Sequence, residues 1–496
     1  MMNLSQMQEA PQQENGLPGW ALILCCVAPF FGFWLTGLFD LDEGFYAAVT
    51  SDMLRRGDWI TPTYNGIPWF EKPILSYWLA MPTILLFGED FGPRSASFLC
   101  TLATAFVLYR WCLRHFGKEV AQGAALATCG SLLVVGIGRM MMTDGPLVLC
   151  QVIAFTTFYD SLVVDRRRRL WTAFALGLAV LAKGPVSLVF FVLIAGFFFW
   201  RSPSLRPQFK GYWAAGTIIL FATIATWYLP CYLQNGQVFI QKFLIEQNIG
   251  RFAGGDKAHQ VPFWAHPIYF PLILLLACLP WSSFSLKAWW QDRLTGNTDD
   301  PQMQIRRYLW VWALVITIFF TVSQTKLPHY ILPAVAPFLI LLVVSARQAN
   351  QVKFRNHLVA ACLWCLALWP FCHLVFQQVY ESQFREVQEL ARYARKAGLP
   401  LAIYEIGRQE EMEIGLRLQE TSHPSVLFYY GGLVKKSDSI AEIAEAKGDV
   451  LVLTRTNRLT LDDQVEAVAL GKTIDEVETG LKLDRYRLYR LRSLNN

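Results

Sequence analysis

Stretches of about twenty apolar residues recur along this chain as far as residue 376, and they constrain its fold more than any motif does. WALILCCVAPFFGFWLTGLF (20–39) and GYWAAGTIILFATIATWYLP (211–230) each have the length that a helix needs to cross a bilayer, about 20 residues. Further crossings are read at 94–113, 120–138, 143–164, 268–285, 308–324, 329–345 and 356–376. The stretch 171–200 holds Lys183-Gly184-Pro185 in its middle, so it is read as two short crossings rather than one. The first run has no basic residue before it and further spans after it, which favours a retained helix over a cleaved signal peptide. Only 17% of the residues are charged, against about 25% in soluble proteins, and 54% are hydrophobic. A soluble globular enzyme is excluded on these grounds, and an all-α polytopic membrane protein of about 11–13 transmembrane helices is expected.

Basic residues set the orientation. Asp165-Arg166-Arg167-Arg168-Arg169, Arg201–Lys210, Lys287–Arg307 and Arg347–His357 are expected on the cytoplasmic side. The net charge of +6 is therefore a topology signal and calls for no nucleic-acid partner. Pro73–Phe87 is short for a crossing and would invert the loops that follow it, so a re-entrant or surface segment is expected there. Outer loops at 40–73 and 231–267 follow, and residues 1–376 form the transmembrane part. The eleven cysteines lie mostly in apolar runs and stop at Cys372, so they read as small core side chains, with no disulfide scaffold.

Residues 377–496 are different material. ESQFREVQELARYARKAG has helical spacing, SIAEIAEAKGD reads as a short helix, and LPLAIYEI, SVLFYYGG, DVLVLTR and YRLYRLR read as strands. A soluble α/β domain on the outer face is expected.

Polar residues gather in five places on that same face: Asp40, Asp42 and Glu43 after the first span; Glu71 and Lys72 in NGIPWFEKP; Asp144 in RMMMTDGP, with Arg139 five residues before it; His259 in the 231–267 loop; and Lys326 and His329 in TKLPHY. One such cluster reads as a membrane anchor, but five on one side point to a shared polar cavity. Lys183, in the turn of a broken helix pair, is placed to meet a phosphate at helix ends that present orphan groups. No phosphate-binding Gly-Lys loop, zinc-helix motif or serine elbow occurs. The natural chemistry is a lipid-borne donor whose phosphate is clamped by cations, with a carboxylate acting on a proton or steadying charge at a sugar carbon.

DLDEGFYA, MLRRGDWITPTYNGIPWFEKPILSYWL, MTDGP, AKGP, the RFAGGDKAHQVPFW loop and TKLPHYILP, in that order over residues 20–345, resemble the membrane glycosyltransferases of the protein O-mannosyltransferase superfamily. The branch most similar is that of the bacterial lipid A aminoarabinose transferases. The resemblance implies a GT-C-like fold in the bacterial inner membrane, with the site on the periplasmic side. It implies an inverting transfer of a sugar, aminoarabinose or another pentose or hexose, from a polyprenyl-phosphate carrier to a lipid, glycan or protein acceptor, by a monomeric protein. On the matching positions it implies Asp42, Glu43 and Asp144 as catalytic, and Lys72, Lys183, Arg139 and Arg251 at the donor phosphate. Glu71 and His259 would hold a divalent metal, zinc, magnesium or manganese. Tyr46, Tyr64, Lys326, His329 and Tyr330 would complete the substrate site. One position departs: the family's Asp-Glu-x-Arg-Tyr-Ala reads Asp42-Glu43-Gly44-Phe45-Tyr46-Ala47, which loosens the inference to a particular sugar or acceptor. The alternatives are a transporter or flippase for the same lipid, working without chemistry, and an assembly protein acting through its outer domain.

Overall fold

A computed structural model describes residues 16–40, 42–250, 261–284, 300–404 and 423–494. Six helices there are long and apolar enough to cross a membrane: Leu75–Phe116, Asp144–Val163, Trp213–Glu246, Pro301–Val322, Pro328–Ala349 and Gln351–Gln383. Lys118–Gly130 and Leu132–Gly138 form a seventh candidate, bent by 61°, and Gly19–Phe30, Val186–Arg201 and His266–Ala277 are shorter apolar helices. The Lys183-Gly184-Pro185 break falls where the sequence places it. Helix Arg168–Lys183 ends at Gly184, whose φ of 86° favours glycine, and Val186–Arg201 follows. The segment from Pro73 is helical from Leu75 and runs on into the next helix through a kink at Gly88 (φ 75°).

The core is aromatic as well as aliphatic, and Trp227, Trp281 and Trp312 are fully buried within it. Side chains that remain exposed on the helices, such as Leu85, Leu86, Ile218 and Phe221, are apolar, as a lipid-facing surface requires.

Beyond the last long helix, Arg385–Ala397 leads into a five-stranded sheet. Its strands are β3 (Leu401–Tyr404), β4 (Val434–Ser437), β5 (Val450–Arg455), β6 (Lys472–Glu476) and β7 (Tyr486–Ser493), in the order β4-β3-β5-β7-β6. Strands β4, β3 and β5 are parallel, while β7 runs antiparallel to both β5 and β6. SVLFYYGG, read as a strand, is the helix Ser425–Tyr430. Its first residue is held by Asp40, and Gly431 (φ 77°) closes it, so tertiary contacts override the β propensity of its aromatics. A second, two-stranded sheet pairs β1 (Thr63–Tyr64) with β2 (Ile67–Pro68) in the first outer loop.

Candidate functional site

The two ends of the helix Asp144–Val163 differ in kind. Its 20 residues span roughly 30 Å, so Asp144 and Asp160 belong to opposite faces of the bundle. Asp160 is buried and accepts from Trp111 Nε1 (3.0 Å) and Arg168 (2.7 Å), meets His115 Nε2 (2.7 Å), and also binds Arg114. Nearby, Arg169 donates to the carbonyls of Phe209, Lys210 and Gly211. Two basic loops, 165–169 and 201–210, therefore meet at one end, and the polar candidates gather at the other.

At that other end Lys183 Nζ donates to Asp144 Oδ1 at 2.7 Å. Asp144 is 2% exposed, and its Oδ2 is buried with no hydrogen-bond partner among the described residues. The ammonium of Lys183 also lies 5.1 Å from the centre of the Tyr330 ring, next to His329. Asp144, Lys183, Asp42 and Lys72 all lie within electrostatic range of His329, and Asp42, Asp144 and Glu71 within range of Tyr46. Burial first, and then those carboxylates, push the Tyr46 phenol well above its ordinary pKa, which makes it a hydrogen-bond donor rather than an acid. The structure thus brings together Asp42, Glu71, Lys72, Asp144, Lys183, His329, Tyr46 and Tyr330. Arg251 and His259 lie outside the described residues.

Adjacent acids in the first outer loop have opposite fates. Asp42 opens the helix Asp42–Arg56 and is exposed, whereas Glu43 is fully buried. Arg94, itself buried, grips Glu43 with two hydrogen bonds of 2.8 and 2.7 Å, and the backbone N–H groups of Phe39 and Met141 donate to the same carboxylate. Arg94 further donates to the carbonyls of Phe33, Thr36 and Gly37. Glu43, expected as catalytic, uses its lone pairs to join the end of the first span to two other segments.

Two other residues expected at the substrate are likewise engaged by protein groups. Arg139 points its guanidinium at the carbonyls of Pro29 (2.8 Å) and Phe31 (3.0 Å) and stacks near Phe376, so it fixes the end of the first span. Lys326 is 3% exposed and donates to the carbonyls of Phe320, Thr321 and Ser323, capping the helix Pro301–Val322. All three ammonium protons are used, leaving none for a substrate.

The C-terminal sheet reaches the same loop, a connection that sequence spacing had not shown. Asp40 accepts from the backbone N–H (2.7 Å) and hydroxyl (2.9 Å) of Ser425, and lies 2.9 Å from Nδ1 of His423. His423 Nε2 in turn meets the Tyr486 hydroxyl at 2.7 Å. Tyr429 and Gln388 bind the backbone of Leu38. Of the residues missed, only Arg94 left a signal: an arginine inside an apolar helix demands a buried carboxylate.

Glu71 is half-buried beside Lys72. Among the described residues, no three histidine, cysteine, aspartate or glutamate side chains gather as a metal site. His259, the other expected ligand, lies outside the described residues, and no chemical step here is routed through a metal.

A family model described as dolichyl-phosphate-mannose-protein mannosyltransferase matches residues 71–228. An undecaprenyl phosphate-alpha-4-amino-4-deoxy-L-arabinose arabinosyl transferase of Pseudomonas paraeruginosa is 30% identical over 383 residues, 73% of this chain and 67% of that protein. The chain belongs to this membrane glycosyltransferase family. A Shewanella sediminis protein of the same name is 31% identical over 358 residues, 69% of this chain. The chain spans 63% of the length of that relative. The fold is that of ArnT from Cupriavidus metallidurans, crystallised with undecaprenyl phosphate, at a TM-score of 0.74 and 17% identity over 95% of this chain and 97% of that one. The polytopic, GT-C-like fold class expected from the sequence holds, and so does the family.

Proposed function

We propose that this chain is an inverting glycosyltransferase that moves a sugar from a polyprenyl-phosphate carrier to a lipid, glycan or protein acceptor. The observation that carries the reading is the Asp144–Lys183 pair. A lysine is held at a helix break by one carboxylate oxygen, while the other oxygen is buried without a partner among the described residues. Leaving a buried carboxylate oxygen unpaired is costly, so a substrate hydrogen-bond donor is its natural complement.

In this mechanism the bond from the anomeric carbon to the carrier phosphate breaks as an acceptor oxygen bonds to that carbon from the opposite face. The electron pair leaves with the phosphate, whose charge falls to Lys183 and Lys72 as it develops. Asp144 keeps Lys183 in place and uses its second oxygen to orient a hydroxyl or amino group of the sugar. An acceptor hydroxyl gives its proton to Asp42, the exposed carboxylate; an acceptor phosphate needs no base. The names of the relatives support aminoarabinose as the sugar and undecaprenyl phosphate as the carrier. The segregation of basic loops to the far end supports a site on the periplasmic face of the inner membrane. Glu71 and His259 are proposed to hold a divalent metal, which elemental analysis of the purified protein and of Glu71→Ala would check.

Purified protein offered a panel of polyprenyl-phosphate sugars and an outer-leaflet glycolipid acceptor should release the free carrier phosphate and yield a glycosylated acceptor by mass spectrometry. Movement of the donor across vesicle bilayers with neither product would make the chain a transporter.

A further inference from the structure

Strand β4 carries Lys436 out of the C-terminal sheet and into the first outer loop. Its ammonium donates to the Tyr64 hydroxyl at 2.9 Å and lies 4.9 Å from the centre of that ring. Tyr64 packs against Phe45 (4.7 Å) and Trp69 (5.3 Å), and Phe45 and Trp69 stack at 5.0 Å with an interplanar angle of 6°. Tyr64 and Trp69 are half-buried, so each retains some accessible surface.

The lysine is held in this place. The Asn65 side chain donates to the Val434 carbonyl (2.8 Å) and accepts from the Val434 N–H (2.9 Å), pinning β4 two residues before Lys436. An ammonium has three donors, and among the described residues a single phenol oxygen is its hydrogen-bond partner. Among the described residues no carboxylate forms an ion pair with Lys436. Asp40 is within electrostatic range, but its oxygens are committed to Ser425 and His423. Burial pulls Lys436 down to about 8. Among the described residues this partly buried cation therefore lacks a paired counter-charge, which an anion arriving from outside would supply.

The cluster adjoins donor-site residues along the chain. Phe45 lies one helical turn after Asp42, and Trp69 lies two residues before Glu71. We propose that Lys436, with the faces of Tyr64 and Trp69, forms an acceptor subsite that recognises an anionic group on a glycan headgroup. The rings would carry the sugar and the ammonium its charge. This rests on the transferase reading and makes the C-terminal sheet part of the site rather than an appendage.

The competing explanation is that Lys436 only docks the sheet onto the loop. Full-length protein in detergent, with a fixed polyprenyl-phosphate sugar, separates the two. Three acceptors are offered: a phosphorylated glycolipid, its dephosphorylated form, and a uronate-bearing form. Lys436→Gln should raise the acceptor KM about 10-fold or more for the two anionic acceptors, leave the neutral one and the donor KM unchanged, and be rescued by Lys436→Arg. A rise confined to the phosphorylated form or to the uronate would narrow the subsite to that anion. Equal effects on charged and neutral acceptors, or none, would overturn the proposal. Absence of transfer by the unsubstituted protein would instead overturn the transferase reading.

Discussion

Lys183 Nζ sits 2.7 Å from Asp144 Oδ1, across 39 residues of sequence, and the second oxygen of the same carboxylate has no partner among the described residues. The pair joins two helix ends, one starting at Asp144 and one stopping at Lys183. Such a junction positions charge where the chain is already broken, so the membrane cost of both groups is offset by their mutual contact.

Removing the cation should therefore cost rate more than binding of the acceptor. Lys183→Gln is expected to lower kcat by about 100-fold or more, since the lost interaction grows as the phosphate departs. Asp144→Asn should cost a similar factor, because Lys183 then loses its anchor. The double variant should be little worse than either single one, as for residues that act as one unit. Initial rates of carrier release measure this; full additivity would separate the two roles.

The neighbouring acids Asp42 and Glu43 should part company in a simple comparison. Asp42 is exposed at a helix start, and Asp42→Asn is predicted to reduce transfer to a hydroxyl acceptor while leaving thermal unfolding in detergent unchanged. Glu43→Gln strips the charge facing buried Arg94 and should destabilise the protein by about 3–5 kcal/mol, with activity lost through unfolding. A Glu43→Gln protein that melts normally and fails only in catalysis would restore Glu43 to the reaction.

Much of this was legible in the sequence, for definite reasons. Hydropathy runs mark helices directly, because an unsatisfied backbone in lipid is so costly that few alternatives exist. The Lys183-Gly184-Pro185 break was equally plain, since glycine and proline act locally. Spacing could not distinguish a charged side chain that faces substrate from one that closes a helix or loop. Glu43, Arg139 and Lys326 are all charged residues beside apolar runs, just as Asp144 and Lys183 are. What separates them is their partners: Arg94 for Glu43, the Pro29 and Phe31 carbonyls for Arg139, and the last carbonyls of a helix for Lys326. Those partners lie far off in sequence or on the backbone, where residue type gives no sign. The reach of Lys436 to Tyr64, across 372 residues, was hidden for the same reason.

Lys326 offers a check on that distinction. Lys326→Met removes the ammonium that lies 5.4 Å from the centre of the Phe270 ring and leaves the carbonyls of Phe320, Thr321 and Ser323 without their donor. A loss of about 1–3 kcal/mol in stability is expected, with KM for donor and acceptor unchanged in the folded fraction. A raised KM at unchanged stability would return Lys326 to the substrate site.

The charge on Lys436 gives the acceptor step a pH dependence of known sign. Burial lowers this lysine from its ordinary range to about 8, while Asp40 opposes the shift and Tyr64 accepts its hydrogen bond. Below that value the ammonium is charged and ready for an anion; above it the free enzyme loses the cation. The kcat/KM for an anionic acceptor should accordingly be flat below pH 8 and fall above it, whereas that for a neutral acceptor should not follow this limb. Arginine stays protonated throughout, so Lys436→Arg should remove the limb. The same shift affects folding in the opposite direction. Between pH 8 and the ordinary lysine range the unfolded chain binds the extra proton, so this group's contribution makes stability rise with pH there. A fall in kcat/KM above pH 8 that accompanies rising or constant thermal stability is thus expected. A fall that tracks unfolding, or that survives in Lys436→Arg, would assign the limb to another group.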